Sequence, residues 1–239
     1  MNKRTLLSLL LLLAITTVAC TCNLPGLSDL LNSASTSSSS QPTVSAAGND
    51  QNTANVLYFD DFSDPQSGWD RVHDGDNITD YYQGQYRILV QETQTDLWAN
   101  PSQSFPADVI VEVQAVKNSG PDDNDFGVLC RYQGVNNYVF FIISSDGYAG
   151  IGKVENGSQN LLNPDQAMVP VEGIPTGANA IYHIRAACVG NNLTLYVNGQ
   201  KIMEAQDPAP TAGDVGLMAG TFDTPGTDIL FDDFRVLSP

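Results

Sequence analysis

The stretch LYFDDFSD (Leu57–Asp64) has a counterpart in LFDDFRV (Leu230–Val236) near the other end of the chain. Each carries Phe-Asp-Asp-Phe, at Phe59–Phe62 and again at Phe231–Phe234. In the second copy Ile229 and Phe231 share one face of an extended strand, whereas Phe234 and Val236 fall on the other. Two aspartates between two phenylalanines shift the strand parity by one residue, as a β-bulge does. The repeat therefore reads first as strand sequence with a built-in irregularity, and its meaning depends on the fold between the two copies.

That intervening sequence is strand-like throughout. Val109, Val111, Val113 and Ala115 alternate with Ile110, Glu112 and Gln114. Tyr182, Ile184, Ala186 and Cys188 alternate with His183, Arg185 and Ala187, and Leu193, Leu195 and Val197 with Thr194 and Tyr196. These are period-2 patterns, and no 3.6-residue stripe follows residue 56. Asn198-Gly199 and Asp146-Gly147 are dipeptides suited to two-residue type I′ hairpins, while Gly190-Asn191-Asn192 and Gln133–Asn136 mark two further tight connections. About a dozen short antiparallel strands so joined indicate an all-β fold, a two-sheet sandwich or a barrel. Residues 56–239 are enough for one domain burying roughly 70% of its unfolded surface.

LTLYVNGQKI (Leu193–Ile202), GDVGLMAG (Gly213–Gly220) and the terminal ILFDDFRV resemble the C-terminal half of concanavalin A-like jelly rolls. DFGVLCRYQ (Asp125–Gln133) and NNYVFFIISSDGYAGI (Asn136–Ile151) resemble bacterial modules of the same superfamily, close to laminin G-like modules and the 3-keto-disaccharide hydrolase-like domain. The resemblance implies an antiparallel jelly-roll β-sandwich whose first and last strands lie together, bringing Asp60 and Asp61 near Asp232 and Asp233. Two explanations of the repeat follow. One aspartate on each strand accepts backbone N–H groups that the bulge leaves free, or the four carboxylates hold a structural Ca²⁺, a cation that takes six to eight oxygens. The Asp122-Asp123-Asn124-Asp125 loop fails the EF-hand pattern, since Phe126 stands at the third ligand position, and reads as a solvated acidic loop.

The N-terminus reads as an address. Lys3 and Arg4 precede an apolar run, Thr5–Val18, shorter than the roughly 20 residues a bilayer span needs. Thr17-Val18-Ala19-Cys20 resembles a bacterial lipobox, which implies a signal peptide over 1–19, lipidation of Cys20 and an exported, membrane-anchored protein facing outward. The tether, residues 20–55, is rich in Ser and Thr and lacks aromatic, Lys and Arg residues, so it cannot bury enough surface to order itself. The chain's net charge is −17. Acidity of this degree excludes nucleic-acid binding through phosphates and repels anionic headgroups, leaving the lipid as the membrane bond. Export into oxidising surroundings makes Cys130 and Cys188, both on strands, the natural disulfide pair.

No catalytic set emerges. The glutamates Glu92, Glu112, Glu155, Glu172 and Glu204 never form the E-x-D-x-x-E of sandwich glucanases, no G-x-S-x-G occurs, and His73 and His183 stand alone. The keto-sugar hydrolase-like domains carry an N-S-G-I-F-R-like strand; here Asn118-Ser119-Gly120 is followed instead by Pro121-Asp122-Asp123-Asn124-Asp125. A non-catalytic glycan or envelope-polymer binding module is the first reading, with Arg131, Tyr138, Tyr148, His183 and Arg185 lining one groove and Trp98 near it. A glycoside-processing hydrolase of the 3-keto-disaccharide type and a laminin G-like interaction module are the alternatives.

Overall fold

The computed structural model describes residues 55–177 and 180–239. The signal peptide 1–19, the lipid site Cys20 and all of the tether except Asn55 lie outside the described residues. Strands β1 (Val56–Asp60), β2 (Val72–Asp74), β3 (Asn77–Tyr82) and β4 (Gln85–Val90) open one sheet. The chain crosses to a second sheet for β5 (Asp96–Ala99) and returns to the first for β6 (Val109–Ser119). Next, β7 (Asp125–Tyr132), β8 (Asn137–Ser144), β9 (Tyr148–Glu155), β10 (Ser158–Leu161) and β11 (Val169–Pro170) build most of the second sheet. It then lays β12 (Ile181–Val189), β13 (Asn192–Val197) and β14 (Gln200–Gln206) on the first, β15 (Asp214–Gly220) on the second and β16 (Thr227–Leu237) on the first.

The nine-stranded sheet runs β14-β13-β12-β6-β16-β4-β3-β2, with β1 beside β16, and the seven-stranded one β10-β9-β8-β7-β15-β5, with β11 beside β9. All strand pairs are antiparallel. Among the described residues there is no helix. The alternation follows the sequence pattern: Val109, Val111, Val113 and Ala115 of β6, and Tyr182, Ile184, Ala186 and Cys188 of β12, face Phe126, Val128, Phe141 and Ile143 of the other sheet. The Cys130–Cys188 disulfide joins β7 to β12 and so ties the two layers through the core. Arg87 on β4 grips the buried Asp228 of β16 with two bonds of 2.7 and 2.8 Å, and Asn118 of β6 adds a third of 2.7 Å.

The two Phe-Asp-Asp-Phe stretches are neighbours. β6 runs along one edge of β16, while on the other edge β4 pairs with Thr227–Phe231 and β1 with Phe234–Leu237. Asp232 and Asp233 sit where β4 gives way to β1, the register shifts there, and Asp233 takes φ 52°. This bulge returns Phe234 and Val236 to the core after Ile229 and Phe231.

The aspartates do not form the calcium cage the repeat suggested. Asp60 turns inward and is saturated by Tyr58 Oη, Phe62 N, Ser67 Oγ and Trp69 Nε1 at 2.5–3.1 Å. Asp61 accepts from the Ser63 N–H and hydroxyl, and Asp232 from the Asp233 N–H. Four donors already occupy the one buried carboxylate, and among the described residues no three acidic, His or Cys side chains gather around a metal-sized space. The residues therefore fit the bulge explanation.

Turn chemistry agrees at Asn198-Gly199, where both residues have positive φ (50° and 80°). It differs at Asp146-Gly147. There only Gly147 is left-handed (φ 97°), and its N–H bonds Ser144 O at 3.2 Å, giving a three-residue Ser145–Gly147 connection in place of type I′.

Candidate functional site

The six side chains assigned to one groove are not together. His183 and Arg185 lie on the outer face of the nine-stranded sheet, in a depression of about 350 Å³ shared with Glu112, Gln114, Asp233 and Arg235. Arg185 pairs with Glu112 directly across the strands. Arg131 does not point out from mid-strand as expected, but borders with Tyr138 a small depression of about 130 Å³ at the sandwich edge. At φ 56° it leaves the strand register, is 3% exposed, and donates to Ala107 O (3.1 Å), Gly190 O (2.6 Å) and the buried Asp207 (3.0 Å). Its role is to tie loops at the sandwich edge. Trp98, Tyr138 and Tyr148 do share a face, the outer face of the seven-stranded sheet.

That face is built by alternation. The inward positions of β7, β8 and β15 carry Phe126, Val128, Cys130, Val139, Phe141, Ile143, Val215, Leu217 and Ala219. The outward positions carry a second apolar cluster, Leu129, Tyr138, Phe140, Ile142, Val154 and Met218, with Trp98, Tyr132, Leu161 and Met168 against it. Glycines occupy many of the remaining outward positions: Gly127, Gly150, Gly152, Gly216 and Gly220. A Cβ on Gly152 would collide with the Phe140 ring, so the ring lies in the space the glycine leaves. Tyr138 stands between Trp98 and Tyr132, ring centroids 5.9 and 5.7 Å away, and Trp98 Nε1 donates to Tyr132 Oη at 3.2 Å. Trp98 comes from β5 and Tyr138 from β8, with β15 and β7 between them. Such a contact requires the sheet to curl over this face.

At one end of the face the register sets Asp96, Gly220, Asp125 and Ser144 in a row across β5, β15, β7 and β8. Asp96 and Asp125 flank a strand that has no side chain at that level. Their backbones are two strand spacings apart, roughly 10 Å, and their carboxylates lean over the glycine. A Cβ on Gly220 would collide with Asp96 Oδ1 and stand 2.7 Å from Asp125 Oδ1. Asp125 is 5% exposed and its Oδ1 is buried without a partner. Burial, then the charge of Asp96, pushes the Asp125 carboxyl up to about 8. Burial also raises Asp96, opposed by a bond from Gln159 of β10, at the far edge of the curled sheet. Burial and Asp96 together push the Tyr138 phenol up to about 12.

The ends of the strands bearing the pair are fixed. Thr221 Oγ1 bonds Glu92 O at 2.5 Å and accepts from Thr95 N, while Asn124 bonds Thr224 O and Phe222 N at 2.8 and 2.9 Å. Beside the pair opens a depression of about 420 Å³, lined by Asp123, Asp125, Asp146, Tyr148, Met168 and Phe222 among others. The expected solvated loop Asp122–Asp125 is thus solvated only at its start: Asp122 and Asp123 are exposed, Asn124 and Asp125 buried. Asp96, Asp125, Tyr132 and Phe222 escaped the sequence reading. The available signal was the run of outward glycines opposite inward apolar residues in DVGLMAG, DFGVLC and YAGIGK, which marks a face left open.

No protein-family model matches the chain, and no curated protein matches it. Solved structures do. The carbohydrate-binding module CBM66 from Bacillus subtilis superposes with TM-score 0.56 at 17% identity, over 72% of this chain and 96% of that one. A Bacillus subtilis protein of unknown function with a galectin-like fold gives 0.60 at 13%, over 77% and 96%. The Bacillus licheniformis beta-glucanase gives 0.55 at 12%, over 78% and 100%. With two antiparallel sheets, adjacent terminal strands and these neighbours, the chain folds as a concanavalin A-like jelly-roll sandwich.

Proposed function

We propose that the protein is a surface-displayed lipoprotein whose sandwich binds a glycan or envelope polymer without cleaving it, through the outer face of the seven-stranded sheet. The observation that carries the reading is the Trp98–Tyr138–Tyr132 strip beside the acidic depression. Aromatic faces take the C–H faces of pyranose rings, and carboxylates at the edge accept hydroxyl hydrogens. Support for display comes from the lipobox-like Thr17–Cys20, with Cys20 as the lipid site. Structural neighbours that include a carbohydrate-binding module agree with the glycan reading.

A hydrolase would use paired carboxylates at short separation, and Asp96 and Asp125 converge. Yet Asp96 and Asp125 come from separate strands and do not fall in the single-strand E-x-D-x-x-E spacing of the sandwich glucanases. Binding is the reading the geometry favours. The test is a glycan array followed by titration of the best ligand. Trp98→Ala should weaken binding about tenfold or more, while Arg185→Ala, on the opposite face, should leave it unchanged. The reverse pattern would move the site to the other sheet.

A further inference from the structure

The depression beside Asp125 has a charge problem that its own residues leave unsolved. Asp96 from β5 and Asp125 from β7 converge over Gly220, and Asp125 Oδ1 has no partner. Asp123, Asp146 and Tyr148 stand at the opening. No Lys or Arg lines it; Lys117, beside the same loop, is paired with Asp122. Asp125, buried beside the partly exposed Asp96, keeps a proton, because two ionised groups so placed repel and Asp125 lacks water. Anything that brings a positive charge to the pair displaces that proton and is held by both groups.

We infer that the depression selects glycans carrying a free, protonated amine, that is, amino sugars without an N-acyl group, with the ammonium lying against Asp125. The inference rests on the reading of this face as glycan-binding and names the class of sugar. Tyr148 and Phe222, both exposed on the rim, offer rings that favour a cation near their faces. Trp98 and Tyr132, half-buried against the buried Tyr138, continue away from the pair and give the following sugar units a stacking surface. A divalent cation is a poorer match, since only two carboxylates converge and no third metal-ligating group joins them among the described residues.

The test is titration calorimetry of the full chain at neutral pH with glucosamine oligomers and with N-acetylglucosamine oligomers of equal length, each in two buffers of different ionisation enthalpy. The amine series should bind about tenfold tighter or better, and its binding should release a proton that the acetylated series does not. Asp125→Asn should abolish both the preference and the release. Asp146→Asn, at an exposed position on the rim, should reduce the preference by a smaller factor. Equal affinity for the two series, or a preference untouched by both variants, overturns the inference and leaves the glycan reading standing. If neither series binds, the inference fails as well, and the glycan array decides the wider reading separately. Lysine amide binding as tightly as the glucosamine oligomers would overturn the sugar part, and tight binding of Ca²⁺ alone would replace the amine with a metal.

Discussion

Asp125 opens β7 in a position that a carboxylate tolerates only by keeping its proton. An unfolded aspartate is ionised above about pH 5, whereas the folded Asp125 holds its proton up to about pH 8. Across that interval the folded state binds the extra proton, so its contribution to stability is complete in acid and falls as pH rises. Asp96, raised by the same burial, acts in the same direction, with Tyr138, Asp123 and Asp146 as the other ionisable groups nearby. The melting temperature should therefore decline from pH 5 to pH 8, and Asp125→Asn should flatten that decline and leave the protein more stable than wild type at pH 8. A slope identical in the two proteins would show that Asp125 ionises normally. Residue-scale roles were the least legible in the sequence. Arg131 sits mid-strand by pattern and reads as a groove residue, but a left-handed φ and the buried Asp207 turn it to the sandwich edge. Asp125 reads as solvated because its loop is acidic. Its burial is set by pairing partners two strands away, which local sequence does not encode.

At the scale of elements the sequence spoke more clearly. Period-2 alternation in β6, β12 and β13 named the core residues correctly, because each of these strands buries one face against the other sheet. The parity break at Asp232-Asp233 announced a bulge, and the bulge lies where β1 succeeds β4 along β16. Calcium was inferred from four carboxylates brought together by adjacent terminal strands, and in the structure the one inward aspartate of the four takes four donors. The Cys130–Cys188 bridge joins elements that no hydrogen-bond ladder connects, β7 in one sheet and β12 in the other. With a sequence separation of 58 between the cysteines, closing the loop in the unfolded chain is worth about 4 kcal/mol on the chain-entropy account. Replacing both cysteines with alanine should lower the melting temperature by roughly 10 °C and keep the β circular-dichroism signature. A loss below 2–3 °C would mean that packing between the sheets already sets their spacing.

For the whole molecule, a two-layer sandwich offers two outer faces, and they differ. One carries paired charges, Arg185 with Glu112 and Arg235 near Asp233. The other is apolar and aromatic at its centre, glycine-lined and acidic at one end. The sandwich was legible from strand periodicity and from motifs that resemble those of concanavalin A-like jelly rolls. The choice of face was not, because it depends on which strands adjoin β15 and on the curl that brings Trp98 of β5 to Tyr138 of β8. The protein's two tryptophans divide between the layers. Trp98 lies half-buried in the aromatic strip, and Trp69 is 4% exposed in the main core with its Nε1 on Asp60. Their two indole N–H resonances can be followed separately by NMR during titration with a bound glycan. The account predicts that the Trp98 signal shifts on saturation while that of Trp69 stays in place. A glycan that binds and leaves the Trp98 signal unmoved would contradict it.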